Sequence, residues 1–222
     1  MKSFKEIYER AAERKGGADE LEQLIPDTLS PKQLAAIPDD RWLSEMARCV
    51  FQAGFVWRVV SAKWPAFEQA FEQFDPHAVA YMEESRFEAL LSDEKLIRHH
   101  AKMRSTRENA VFMLDLAQEH GTAASFFANW PNTDYVGLLE VLKKRASRMG
   151  GNSAQYYLRR MGYEAFILAP DVVKVLIAEG VVTKKPTAKR DRQAVQEAFN
   201  QWSEESGRGL TAISRVLSLS VD

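Results

Sequence analysis

The sequence contains a single cysteine, Cys49. That excludes an intrachain disulfide, a thiolate-rich zinc site and a cysteine-held iron–sulfur cluster. Histidine is scarce as well. His77, His99, His100 and His120 are the only four, and their spacing matches no common zinc pattern. No metal and no cofactor are expected. No apolar run approaches the roughly 20 residues that a membrane-spanning helix needs. The opening MKSFKEIYERAAERKGG is too charged for a secretory signal. A cytoplasmic protein without a membrane partner is expected, nucleoid-associated if the source is bacterial and nuclear if the source has a nucleus. Sustained apolar–polar alternation is missing, as are Asn-Gly and Asp-Gly hairpin pairs, so strands are not expected. The formal net charge of -1 advertises no nucleic-acid partner.

What is present reads as helix. The 222 residues, 45% of them hydrophobic, suffice for one domain, 1–222, built of two lobes. Trp64, Phe67, Phe71 and Phe74 recur at three and four residues, one helical face. Asp75 and Pro76 of "FDP" fit a helix cap and first position. One helix is predicted from Asp39 or Asp40 to Gly54, and a long one from His99 or His100 to Glu119, with "SDEKL" upstream as a capping box. Residues 183–191 read as a polar loop, and two helices close the chain. The fold class is all-α, a two-lobed helical bundle. Trp42, Trp64, Phe67, Phe71, Phe74, Phe126, Phe127, Trp130, Phe199 and Trp202 are assigned mostly to its core.

Charge is unevenly spread. Between Val141 and Arg192 lie twelve lysines and arginines against four acids, a concentration that suits a phosphate backbone and equally a solvated basic face. Inside it runs "MGGNSAQYYLRRMGYEAFILAPD", Met149 to Asp171. Gly150 and Gly151 allow a tight turn. Asn152 or Ser153 can cap a helix from Ala154 to Met161, and Gly162 suits its left-handed end. Helix, glycine hairpin and helix, over about 138–162, would expose backbone N–H groups at a helix N-terminus, a seat for phosphate. Pro170 fits the first turn of the next helix, with Asp171 beside it. A plain turn and a plain first-turn acid remain alternative readings.

The stretch "GGNSAQYYLRRMGYEAFILAPDVVKV" resembles the helix–hairpin–helix DNA glycosylase superfamily, in which an essential aspartate follows the glycine hairpin by about twenty residues, as Asp171 follows Gly151. Where bifunctional members carry a lysine, two residues after the last hairpin glycine, this chain has Ser153. Gln52, Ala53, Gly54 and Trp57, then Phe74, Asp75 and Pro76, then Ile97, Arg98, His99 and Lys102 resemble, in order and spacing, three motifs of the DNA-3-methyladenine glycosylase I family. That resemblance covers roughly residues 40–185. The chain departs from the family at three points. Cys49 stands where the family has a pocket glutamate, the two cysteines and two histidines of its zinc are missing, and Asp171 is present where the family generally lacks that acid.

The resemblance implies a monofunctional DNA N-glycosylase that removes a damaged base, an alkylated one by family, from double-stranded DNA and acts as a monomer. It implies catalysis by Asp171, a base pocket of Trp57, Cys49 and Phe51, and DNA contacts from Gln52, Phe55, Gly150, Gly151, Asn152 and Ser153. Phe55 would be the wedge that fills the vacated stack, and Gln52 would face the gap or the orphaned partner base. With the pocket acid replaced, the choice of lesion stays open. Two other readings stay open too: a non-catalytic helix–hairpin–helix module that recognises damaged or structured DNA, and a helical protein scaffold whose basic third is incidental.

Overall fold

The structure, a computed structural model, describes residues 1–221, and among them it has helices and turns but no strand. In chain order the helices are α1 (Phe4–Lys15), α2 (Ala18–Glu22), α3 (Pro31–Ala35), α4 (Asp39–Gln52), α5 (Trp57–Ala70), α6 (Pro76–Ala80) and α7 (Glu84–Ser92). They continue with α8 (His100–His120), α9 (Ala123–Asn129), α10 (Tyr135–Arg145), α11 (Asn152–Arg160), α12 (Pro170–Ala178), α13 (Lys189–Ser206) and α14 (Leu210–Leu219). The chain is all-α. It divides into two compact units, one of Met1–Leu29, Trp130–Leu138 and the chain from Gly162 on, the other of Ser30–Asn129 and Leu139–Met161.

In the unit that holds both described ends, α1 packs against α13 and α14, and α12 against α14. Ser3 and Glu6 form a capping box at the start of α1, and Gly16, with φ 93°, ends it. The Glu164 carboxylate accepts from the Thr211 N–H at 2.9 Å and so caps the start of α14. An aromatic cluster fills the centre: Tyr135 meets Phe166 edge-on at 4.7 Å, and Phe166 stacks on Phe199 at 4.4 Å. α12 begins at Pro170, with Asp171 in its first turn, as the sequence implies. α13 starts at Lys189, so the polar loop is shorter than expected.

The second unit is built around α4, which contacts α5, α8, α9 and α11. Trp42, Met46, Ala47 and Val50 form its apolar stripe and are buried. Trp42 lies flat against Phe127 at 4.5 Å and edge-on to Tyr157 at 5.9 Å, so one side chain joins α4, α9 and α11. Asp39, in the first turn of α4, accepts from the N–H groups of Ala123 and Ala124 at 3.0 and 2.8 Å and caps α9. Asp75 caps α6 through the Ala78 N–H at 2.8 Å. Of the aromatics assigned to the core, Trp130 alone is only half-buried.

Two local expectations are corrected. Trp64, Phe67, Phe71 and Phe74 do not share one continuous helix. α5 ends at Ala70, and Glu72, Gln73 and Phe74 turn left-handed, with φ of 51°, 56° and 60°. The rings stack nonetheless, Trp64 on Phe67 at 5.1 Å and on Phe74 at 5.4 Å. Left-handed residues cost about 1–2 kcal/mol each. The burial of the four rings offsets that cost, together with the Arg41 guanidinium, which donates to the Gln73 carbonyl at 2.5 Å and to Glu68 at 3.0 Å. The "SDEKL" stretch starts no helix. Ser92 is the last residue of α7, and Lys63 draws the carbonyls of Glu94, Lys95 and Leu96 to its ammonium at 2.8–3.2 Å, which takes them out of any helical ladder. α8 is capped instead by the His99 ring, which accepts from the Lys102 N–H at 3.4 Å.

Candidate base pocket and nucleic-acid interface

The glycine elbow forms between α10 and α11. Arg148 (φ 62°) and Gly151 (φ 60°, ψ -136°) reverse the chain, and the second of these conformations strongly favours glycine. Asn109, fully buried in α8, clamps the turn. Its carbonyl oxygen accepts from the Ser147 N–H at 2.6 Å, and its amide donates to the Ser147 carbonyl at 3.1 Å. Asn152 and Ser153 were expected to cap the following helix, but Gly151 holds the cap position and no side chain caps α11. Both residues lie inside its first turn, because the elbow tightens one residue earlier than the sequence suggests. An uncapped first turn presents free N–H groups at the positive end of the helix.

α11 packs on α4 through Ala154, Tyr157 and Leu158. Its other side completes a cavity of about 140 Å³ lined by Cys49, Gln52, Ala53, Trp57, Asn152, Ser153, Tyr156 and Arg160. Ligand pockets for drug-sized molecules start at roughly 300 Å³, so this one suits a fragment such as a single base. Trp57, 48% exposed, meets Tyr156 edge-on at 5.6 Å. The Arg160 guanidinium lies 4.6 Å from the Trp57 ring centre. Its Nη1 donates to Glu45 Oε1 at 3.0 Å, to Gln52 Oε1 at 2.5 Å and to the Cys49 sulfur at 3.6 Å. Burial, and next the Glu45 carboxylate, push the Cys49 thiol up to about 12, so it is neutral and unreactive.

The loop from α4 to α5 is pinned from below. Lys102, buried in α8, donates to the carbonyls of Phe51 and Ala53 at 3.1 and 2.5 Å, satisfying the end of α4. Burial, and next the positive charge of Arg148, lower its pKa from the ordinary lysine value. Above it Phe55 is 40% exposed, its ring 4.5 Å from the Lys102 ammonium. Val56 and Val59 are exposed beside it, an apolar tip that a soluble surface does not need.

The structure thus brings Cys49, Gln52, Trp57, Asn152 and Ser153 into one cavity wall and leaves Phe55 at the surface. Two placements differ from expectation. Phe51 does not line the cavity; it is buried in the core against Phe67 at 4.6 Å and Trp64 at 6.4 Å, because the helical period turns it away from Cys49 and Gln52. Gln52 does not face outward; it is 5% exposed and held by Arg160. Asp171 belongs to the other unit, where its carboxylate is 3.6 Å from the Lys174 ammonium. Sequence reasoning missed Arg160, Tyr156, Glu45 and Asn109. The one available signal was an asparagine amid the apolar face of a long helix. The zinc of the family resemblance does not fit this chain, whose one cysteine is buried in α4.

A family model for methyladenine glycosylases matches residues 37–154, 118 of the 222. DNA-3-methyladenine glycosylase 1 of Escherichia coli (strain K12) is 35% identical over 81 residues, 36% of this chain and 43% of that protein. The DNA-3-methyladenine glycosylase of Haemophilus influenzae is 39% identical over 59 residues, 27% and 32% of the two chains. The matches thus span less than half the length of either relative. Among solved structures, 3-methyladenine DNA glycosylase I of Staphylococcus aureus aligns with a TM-score of 0.52 at 19% identity over 63% of this chain and 80% of that one. The 8-oxoguanine DNA glycosylase of Methanocaldococcus jannaschii aligns at 0.55 and 14% identity over 93% and 89%. The architecture is that of the all-helical DNA glycosylases. The chain belongs to the methyladenine glycosylase family.

Proposed function

We propose that this protein is a monofunctional DNA N-glycosylase of base excision repair, acting as a monomer, in the cytoplasm or at the nucleoid, on double-stranded DNA that contains a damaged base. The observation that carries this reading is the base-sized cavity beside Trp57, walled by the same helix that the glycine elbow opens. A base inside a duplex cannot be reached, so the nucleotide must be extruded, and a damaged one costs less to extrude. Phe55 fills the vacated stack, and Trp57 walls the pocket that receives the flipped base. The N–H groups of α11 and the cations around the elbow hold phosphates. Breaking the glycosidic bond builds positive charge on the sugar; Asp171 stabilises it and orients the attacking water. Ser153, in place of a lysine, provides no amine for a Schiff base, so the products are a free base and an intact strand with an abasic site.

The test is a panel of duplexes carrying single alkylated, deaminated or oxidised bases, scored for abasic sites with and without alkali. The expected result is an abasic site on at least one lesion, with strand scission only after alkali. Scission without alkali would refute the monofunctional assignment. Tight binding without any excision would leave the non-catalytic module.

The elbow has its own test. A Cβ added at Gly151 meets no atom within 4 Å, so the effect of Gly151→Ala falls on the backbone conformation. The substitution should lower DNA affinity about tenfold, and the slope of log affinity against log salt should flatten by roughly 0.9 for each phosphate that the variant no longer neutralises. An unchanged slope would remove the elbow from the interface.

A further inference from the structure

We propose that Arg160 reads the base in this pocket and selects a neutral base that presents carbonyl and ring-nitrogen acceptors, an oxopurine edge, over a cationic alkyladenine. The inference rests on the glycosylase reading for its biological setting but not for its chemistry, which concerns the cavity alone.

Three observations carry it. The first is the charge around the pocket. Position 49, three residues before Gln52, holds a neutral thiol, and the nearest carboxylate on α4 is Glu45, one turn back. That carboxylate is already engaged, with Arg160 Nη1 at 3.0 Å on Oε1 and Arg48 Nη1 at 4.0 Å on Oε2. One negative charge between two guanidiniums leaves nothing over to balance a cationic base.

The second is the occupant of the aromatic face. An indole ring attracts a cation over its face within about 6 Å of the centroid, and at Trp57 the Arg160 guanidinium sits there, at 4.6 Å. A positively charged base would have to share the ring with a fixed positive charge. A neutral base meets no such repulsion.

The third is the set of donors that Arg160 leaves free. Among the described residues the hydrogen bonds of Arg160 all come from Nη1, while Nε and Nη2 make none, and the side chain is 26% exposed. The contacts of Nη1 fix the fork, and the remaining donors have the spacing that pairs with O6 and N7 of an oxopurine. An adenine ring alkylated at nitrogen offers fewer acceptors on that edge. Gln52 adds to the same preference, because its carbonyl oxygen is consumed by Arg160, which leaves its amide as a donor.

The test titrates purified protein with free hypoxanthine, a neutral oxopurine, and with free 3-methyladenine at a mildly acidic pH, where 3-methyladenine carries a ring proton and hypoxanthine stays neutral, following tryptophan fluorescence with Trp57→Phe as the control for its origin. In parallel, duplexes carrying deoxyinosine or 8-oxoguanine and duplexes carrying 3-methyladenine are assayed for excision. Wild-type protein should bind hypoxanthine at least tenfold more tightly than 3-methyladenine. Arg160→Gln should weaken hypoxanthine about tenfold or more and narrow the difference between the two bases; Arg160→Lys, which keeps the charge without the fork, should also weaken hypoxanthine. Should the variants misfold, the wild-type order of the two bases decides alone. Tighter binding of 3-methyladenine by the wild type overturns the proposal, as does an Arg160→Gln variant that melts with the wild type and binds hypoxanthine equally well. Binding that follows Arg160 without excision of any duplex leaves this inference standing and removes the glycosylase reading. Excision confined to 3-methyladenine does the reverse.

Discussion

Asp171→Asn is expected to lower base excision by roughly 100- to 1,000-fold while leaving DNA affinity and its salt dependence unchanged. The magnitude is typical for loss of one preorganised group that stabilises developing charge; the asparagine keeps the shape but brings no negative charge to an electron-poor sugar. The fold should not notice. The Asp171 side chain is 47% exposed, and its partner Lys174 on the next turn is also exposed, a pairing worth little in water. The helix start keeps Pro170 at its first position. A melting curve superimposed on the wild type would therefore certify the variant, and single-turnover excision would isolate the chemical step from product release. Excision at the wild-type rate would remove Asp171 from catalysis and leave it as a first-turn acid that favours the helix dipole.

The largest effect on stability is expected at Trp42. Trp42→Ala removes a fully buried indole that stacks on Phe127 and meets Tyr157 edge-on. Truncations of this kind cost about 3–5 kcal/mol, which in a chain of this length lowers the melting temperature by roughly 10 °C. Trp42→Phe should cost much less. The Trp42 Nε1 has no hydrogen-bond partner among the described residues, and neither has the Tyr157 hydroxyl. Phenylalanine keeps most of the stack and deletes a buried donor that was never satisfied. Because Trp42 also joins α4 to α11, the alanine variant should lose base binding in parallel, through loosened cavity walls. Thermal melts and the fluorescence titration read both effects. An alanine variant that melts within 2–3 °C of the wild type, about 1 kcal/mol, would show that the packing at this junction carries little of the unit's stability.

Much of the fold was legible because helices are specified locally. The three- and four-residue recurrence of apolar residues, Asp75 before Pro76, Gly162 after α11 and Pro170 before Asp171 are each decided by neighbours in sequence. The misreadings are places where a distant group outbid a local preference. Lys63 takes the carbonyls that a helix after "SDEKL" would have used, and Arg41 receives the carbonyl of a left-handed Gln73. Neither lysine nor arginine announces in sequence which backbone it will reach, since a long flexible side chain can serve any carbonyl within its radius.

The same division holds for the candidate site. Sequence by itself determined that the chain is helical, where the glycine elbow lies, and that Trp57 follows a tight turn, all of them properties of consecutive residues; that Cys49 replaces an acid is what the family resemblance implies. Only the tertiary structure decided that Phe51 turns into the core, that Gln52 points inward, and that Arg160 stands over the Trp57 ring with Glu45 in its grip. These outcomes depend on how α11 lies against α4, and no pattern within either helix contains that packing. A charge 115 residues away along the chain becomes a pocket wall only when two apolar stripes have met and excluded water between them.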